Sequence, residues 1–316
     1  MSGFAYLVRD GKAIEVPFKQ ALGQKAALAW VHLTTNDERA QTWLSGAGLT
    51  PYVTEALTAA ETRPRCDAVG EGAVINLRGL SSEELAASDP LASIRIYALH
   101  GQVFSVTRKH LNAVQAVRAQ IAAGAILDPG DLIAALALAI TEELDPMVAD
   151  LGDSLDDCEE RISASHAFEL RRLVNQARVQ AIGYRRFLVP QRIALEKLAN
   201  LPSTWLGDDD RLHLNAAADR AARMAEELES IRERAALTHE TLTDLRAEQI
   251  DQRSLIVAVA AMVFLPLTFL TGLLGMNVAG IPYAHEPWAF WGVVLMCVVL
   301  GLAVAAYFIG RHWFER

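Results

Sequence analysis

Cysteine is scarce. Cys66, Cys158 and Cys297 are far apart and odd in number, and no CxxC pair occurs. Neither a disulfide framework nor a structural zinc site is supported. A basic excess is also missing. The chain has 316 residues, with 29 Lys and Arg against 38 Asp and Glu, for a net charge of -9. That balance argues against a nucleic-acid partner, which favours a basic surface. None of the eight histidines pairs with another at i+3 or i+4, and no HExxH, P-loop or GxSxG is present. Neither an enzyme nor a bound cofactor is therefore expected, and ATP-driven transport is disfavoured. The opening MSGFAYLVRDGKAIEV has no charged start followed by an apolar stretch, so no signal peptide is expected and the N-terminal part should be cytoplasmic. Gly and Pro are both missing from 208 to 265.

What is present dominates the end of the chain. From 255 to 310 the only formal charge is Glu286. Two apolar blocks, 255–274 and 288–310, each have about the 20 residues needed to cross a bilayer's hydrocarbon core. They flank a short loop, 275–287. Arg246 and Arg253 precede the first block, while Arg311, His312 and Arg316 follow the second. The loop holds no Lys or Arg, so both termini, with the tail 311–316, are expected in the cytoplasm and the loop outside. Trp288, Trp291, Tyr307 and Trp313 suit the two interfaces.

Residues 1–127 are expected to form a cytoplasmic α/β domain. Strands are predicted at 4–8, 29–33, 72–77, 92–99 and 102–107. Ile94, Ile96 and Ala98 alternate with Arg95, Tyr97 and Leu99, as in a half-buried strand, and His100-Gly101 forms a hairpin turn. Helix starts are predicted at Asn36-Asp37-Glu38 and at Thr50-Pro51, and a helix ends at Gly124. Residues 128–207 are expected as a helical hairpin, with Asp131 as N-cap. The stretch 142–160 carries nine acids and no base. The next arm carries Arg161, Arg171, Arg172, Arg178, Arg185, Arg186 and Arg192. A turn near Ser163–His166 would bring these arms together with ion pairs between them. A divalent-cation sensor built from the clustered carboxylates is the other reading.

From 208 to 254 a stalk helix runs without a break into the first span, for about 100 Å in all. Ala217, Ala221, Met224, Leu228, Ile231, Ala235, Thr238, Leu242, Leu245 and Gln249 form a heptad seam, which predicts a parallel oligomer with the first span at its centre. Ser254, Val257, Ala261, Leu265, Thr268 and Gly272 make a row of mostly small or polar residues. Such a row either lines a pore or packs spans together. Glu240, Asp244, Glu248 and Asp251 lie on one face approaching the membrane and suit a ring that concentrates cations, or simply a solvated stalk face. Gly275-Met276-Asn277 closes the helix, and the Asn277 amide oxygen can accept hydrogen bonds from the water shell of a cation. His285 and Glu286 would add an external ring that titrates near neutral pH, or only a contact within the loop.

GMN between two C-terminal spans resembles the hallmark of the CorA metal ion transporter superfamily, and MVFLPLTFLTGLLGMN resembles that family's first span. The loop VAGIP, ETRPR at 61–65, GEGAVINLRG at 70–79, IRIYALHGQVFSVTR at 94–108 and YRRFLVPQR at 184–192 are similar to its ZntB-like zinc transporter branch. Met276 departs from that branch, which often varies this position, and is typical of the magnesium branch. The resemblance implies a funnel-shaped homopentamer in the inner (plasma) membrane of a bacterium. The first span would line the pore below Asn277 and the second would form an outer ring. It implies zinc uptake, proton-coupled in that branch, with Mg2+, Co2+ and Ni2+ as other candidate cargoes. A magnesium/cobalt channel and a membrane-anchored metal sensor are the alternatives.

Overall fold

The computed structural model describes residues 2–22, 25–34, 38–60, 63–81, 91–163, 165–283 and 285–310. Asn36, Asp37, Glu61, Thr62, Arg311, His312, Trp313 and Arg316 lie outside them, so the first helix start, part of ETRPR and the tail are not described. The chain divides into two compact units. One comprises Met1–Arg161 with Glu169–His239, and the other Ile162–Phe168 with Glu240–Arg316.

The first unit is built on a seven-stranded mixed sheet. Its strands are β1 (Ser2–Arg9), β2 (Lys12–Glu15), β3 (Leu28–Thr34), β4 (Arg65–Val69), β5 (Gly72–Leu80), β6 (Leu91–Leu99) and β7 (Gln102–Thr107). Their order is β2-β1-β3-β7-β6-β5-β4. Only β3 and β7 pair in parallel; the other neighbours are antiparallel. All five predicted strands are present. β2 and β4 are additions: both are short, sit at the sheet edges and are polar, so no clear alternation marks them. The hairpin at His100-Gly101 joins β6 to β7 with Leu99 opposite Gln102, and Gly101 takes a φ of 73° there.

β6 is not half-buried as expected. Ile94, Ile96 and Ala98 are fully buried on one face, yet Arg95 on the other is only 2% exposed. Helices cover both faces. On one side α1 (Phe18–Ala21), α2 (Glu38–Gly46) and α3 (Pro51–Thr58) pack Leu44, Val53 and Leu57 against Val31, Val74 and Val106. The Thr50 hydroxyl caps α3 by accepting from Val53 N, as Thr-Pro predicts. Arg95 donates to the Ala60 carbonyl just beyond α3, where the helix end presents unpaired oxygens. On the other side α4 (Asn112–Ala122) and the start of α5 (Pro129–Glu160) cover β5.

One polar chain crosses this core. Trp30 Nε1 donates to Ser105 Oγ at 2.9 Å, and Ser105 Oγ lies 2.8 Å from His32 Nδ1. His32 Nε2 stands 3.4 Å from both Thr107 Oγ1 and Thr34 Oγ1. The Ser105 hydroxyl, which accepts from Trp30, can either donate to or accept from Nδ1, so both neutral tautomers of His32 satisfy the chain. Burial, and then the charges of His110 and Arg118, hold His32 down to about 3. It is neutral at any physiological pH.

The helical part joins α5, α6 (Ala167–Ala199) and the first half of α7 (Asp208–Leu274). Asp128, not Asp131, is the N-cap of α5: its carboxylate accepts from Asp131 N at 3.0 Å, and Pro129 takes the first helical position. Asp131 instead accepts from Leu127 N at 2.9 Å. The charge pairing between the arms is also corrected. The acids of α5 pair with α7, not with α6: Arg220 reaches Glu142 at 3.2 Å, and Arg234 reaches Asp156 and, at 2.6 Å, Glu159. The constant offset of 78 residues makes α7 parallel to α5. α6 meets α7 instead, through Arg185 and Glu229 at 3.0 Å.

The heptad seam has its partners inside the chain. Ala217, Ala221, Met224, Leu228, Ala235 and Leu242 are fully buried, and Ile231 lies against Gly152 of α5. The seam predicted an oligomer because a lone helix cannot bury it. Within this chain α5 and α6 already do, so that step does not hold. Only Leu245 and Gln249 are left half-buried at its end.

Candidate ion path

The second unit holds the end of α7, the loop and α8 (Ala289–Gly310). These two helices are long and apolar enough to cross a membrane. In α7 the half-buried positions of the span are Leu255, Val259, Val263, Pro266, Leu267, Leu270 and Leu274, all on one face. In α8 they are Ala289, Val293, Cys297, Leu300, Gly301, Val304 and Ala305. These are the faces the two spans turn to each other. Ser254, Val257, Ala261, Leu265, Thr268 and Gly272 are all exposed, with Leu265 at 75%. At 3.6 residues per turn their row sits about half a turn from the face that α8 covers. The row is thus free of α8 and open to other copies.

Glu240, Asp244, Glu248 and Asp251 are exposed and share a face. That face lies about a quarter turn away from the 254–272 row. The two features do not form one continuous strip.

α7 stops at Leu274 because its last turn closes on glycine. Gly275 N donates to Thr271 O at 2.9 Å, and a Cβ at Gly275 would sit 2.9 Å from that same oxygen. The Thr271 hydroxyl donates back to Leu267 O and Thr268 O, which suits a polar group inside hydrocarbon. Met276 and Asn277 then emerge exposed. Further along, Tyr283 adopts a φ of 61° and packs on Trp288 with ring centroids 5.2 Å apart. Glu286 N donates to Tyr283 O at 3.0 Å, and Glu286 O accepts from Ala289 N at 3.1 Å. His285 and Glu286 thus lie in the exposed turn that leads into α8, where the Glu286 backbone makes both bonds.

The acidic stretch 142–160 does not gather its carboxylates. Glu142, Asp156 and Glu159 face arginines of α7. Among the described residues, the acids that do converge are Asp128, Asp131 and Asp210, with oxygens within 4.8 Å of one another. Asp210 stands some 80 positions from the other two in the chain, so no local pattern announces the group. Each carboxylate already accepts from a backbone N–H at a helix start, Asp210 from Gly207 N at 2.8 Å. Burial raises the Asp210 carboxyl above the usual range, with the Gly207 N–H opposing and the charges of Asp128 and Asp131 adding to it.

Residues 25–311 match the family described as "CorA-like Mg2+ transporter protein". The chain is 30% identical over 307 residues to the zinc transport protein ZntB of Pectobacterium atrosepticum, covering 96% of this chain and 94% of that one. It is 32% identical over 276 residues to the divalent cation transporter CmaX of Pseudomonas aeruginosa, covering 86% and 82%. Among solved structures it is similar to full-length CmaX, with a TM-score of 0.79, 28% identity and coverage of 98% and 97%.

Proposed function

From the premise that this chain belongs to the CorA-like Mg2+ transporter family, and so is a divalent cation transporter and not an enzyme, we propose that it takes up zinc through the centre of a homopentamer. One observation carries the path: the 254–272 row lies on the face of α7 opposite α8, and at its end the helix gives way to the exposed Asn277. Five copies turned inward on that row would enclose a narrow conduit. Asn277 would ring its outer mouth and hold a hydrated cation through amide oxygens, loosely enough to release it. Gly275 and Met276 position that ring. Ser254 and Thr268 offer hydroxyls inside, and α8 forms the outer ring. The membrane is the inner membrane of a bacterium, with both termini cytoplasmic, as the arginines flanking the spans favour. The acidic row and the His285-Glu286 turn act at long range, by raising cation concentration near the openings.

Zinc is favoured by the similarity to a zinc transport protein. A magnesium/cobalt channel is the second reading, and Met276 in the GMN triplet favours it. Uptake into liposomes of Zn2+, Mg2+, Co2+ and Ni2+, with and without a pH gradient, separates the two. Zinc entry that rises with an inward proton gradient is expected; a Mg2+ flux indifferent to the gradient would replace the first reading with the second. In the same assay Asn277→Ala should slow entry on the order of tenfold, equivalent to about 1.4 kcal/mol of barrier. Unchanged flux would leave a membrane-anchored sensor as the better description.

A further inference from the structure

α6 carries an unusual outer face. Its buried side is Leu170, Val174, Ala177, Ala181, Leu188 and Leu195. About half a turn away lie Arg172, Val179, Ile182, Arg186 and Ile193, all exposed, with Val179 at 60% and Ile193 at 58%. Three β-branched side chains standing in water on one stripe are costly for a single chain, and the stripe is flanked by cations. Neither Arg172 nor Arg186 has an ion pair among the described residues.

α5 offers the opposite. Arginines of α7 take up Glu142, Asp156 and Glu159. Asp145, Asp150, Asp153, Asp157 and Glu160 are exposed and lack an ion pair among the described residues. They surround Pro146 and Ala149, also exposed, on the face opposite buried Leu144, Val148, Leu151 and Leu155. Within one chain these faces cannot meet, because each helix buries its other side.

We propose that the outer face of α5 in one copy docks against the outer face of α6 in the next copy of this chain. The acids of α5 oppose Arg172 and Arg186, while Val179, Ile182 and Ile193 pack on Pro146 and Ala149. Two different patches meet, so the contact is head-to-tail, and repetition closes a ring. The inference rests on the homo-oligomer proposed above and supplies it with a cytoplasmic contact that the occupied α7 seam does not.

The test uses the full-length chain in lipid nanodiscs, with Asp153→Cys and Ile182→Cys made singly and together and treated with a flexible bis-maleimide. The double variant should give a ladder of covalent oligomers on a denaturing gel, and each single variant should not. Adding Asp157→Arg with Asp145→Arg should abolish the ladder, and adding Arg172→Glu with Arg186→Glu to that background should restore it. High salt should weaken the ladder in the unreversed protein. No ladder from a particle whose native mass is oligomeric would overturn this contact and leave the oligomer standing. Ladders from the single variants would overturn it too, because like faces would then be meeting. A monomeric native mass would overturn the oligomer itself, and this contact with it.

Discussion

A carbon added at Gly130 would lie 1.9 Å from Asp210 Oδ2 and 3.0 Å from the Trp205 carbonyl. The starts of α5 and α7 are locked together at that point. Gly130→Ala should therefore destabilise the first unit by about 1–3 kcal/mol, seen as a lower unfolding midpoint in denaturant. His32 makes a second prediction at this scale. Unfolded, the imidazole takes a proton near its ordinary value of 6.5; folded, it refuses one until about pH 3. Between those values the unfolded chain binds the extra proton, so stability falls as pH falls, at most by about 1.4 kcal/mol per pH unit. Unfolding followed by tryptophan fluorescence should show this slope in the native chain and lose most of it in His32→Gln. Single residues were unevenly legible. Gly275 to Asn277 stood out because an apolar run ends there. Asp210 did not, because its neighbours Asp128 and Asp131 come from a distant segment, and no local spacing records a meeting made by tertiary packing.

Among elements, the long helices behave differently from what their patterns suggest. The α7 seam was legible as a period of seven, but a period does not name its partner. The partner is α5 and α6 of the same chain. Ile231→Ala should accordingly cost the first unit about 3 kcal/mol by leaving a cavity beside Gly152, whatever the state of assembly. Thermal unfolding in the presence and absence of the oligomer would check that independence. Arg234→Ala should do far less, under about 1 kcal/mol, because its side chain is 40% exposed and water screens its pairing with Asp156 and Glu159. The same reasoning explains why complementary charge on consecutive arms was misleading. Charge runs report which faces are wet, and α7 reaches the acids of α5 from a side the linear order does not reveal. The sheet was more legible, since five of its strands alternate or are continuously apolar. The edge strands β2 and β4 were not, because they bury little.

At the scale of the molecule the sequence marked two apolar spans and the row of small residues, and the structure adds that α8 leaves this row uncovered. The quarter-turn offset of Glu240, Asp244, Glu248 and Asp251 has a measurable result. Neutralising all four to amides should slow divalent cation entry at low ionic strength and have little effect above about 0.15 M salt, where charges are screened within about 8 Å. An equal loss at both ionic strengths would mean direct contact with the ion. One further property follows from the 67-residue α7. A rod with neither glycine nor proline over most of its length resists bending almost uniformly. Pro266 has no N–H to offer the Met262 carbonyl and so removes a strut from the ladder. Flexure of this span should concentrate there, beside Leu265 and Thr268, so that a small tilt would change the bore of the proposed conduit.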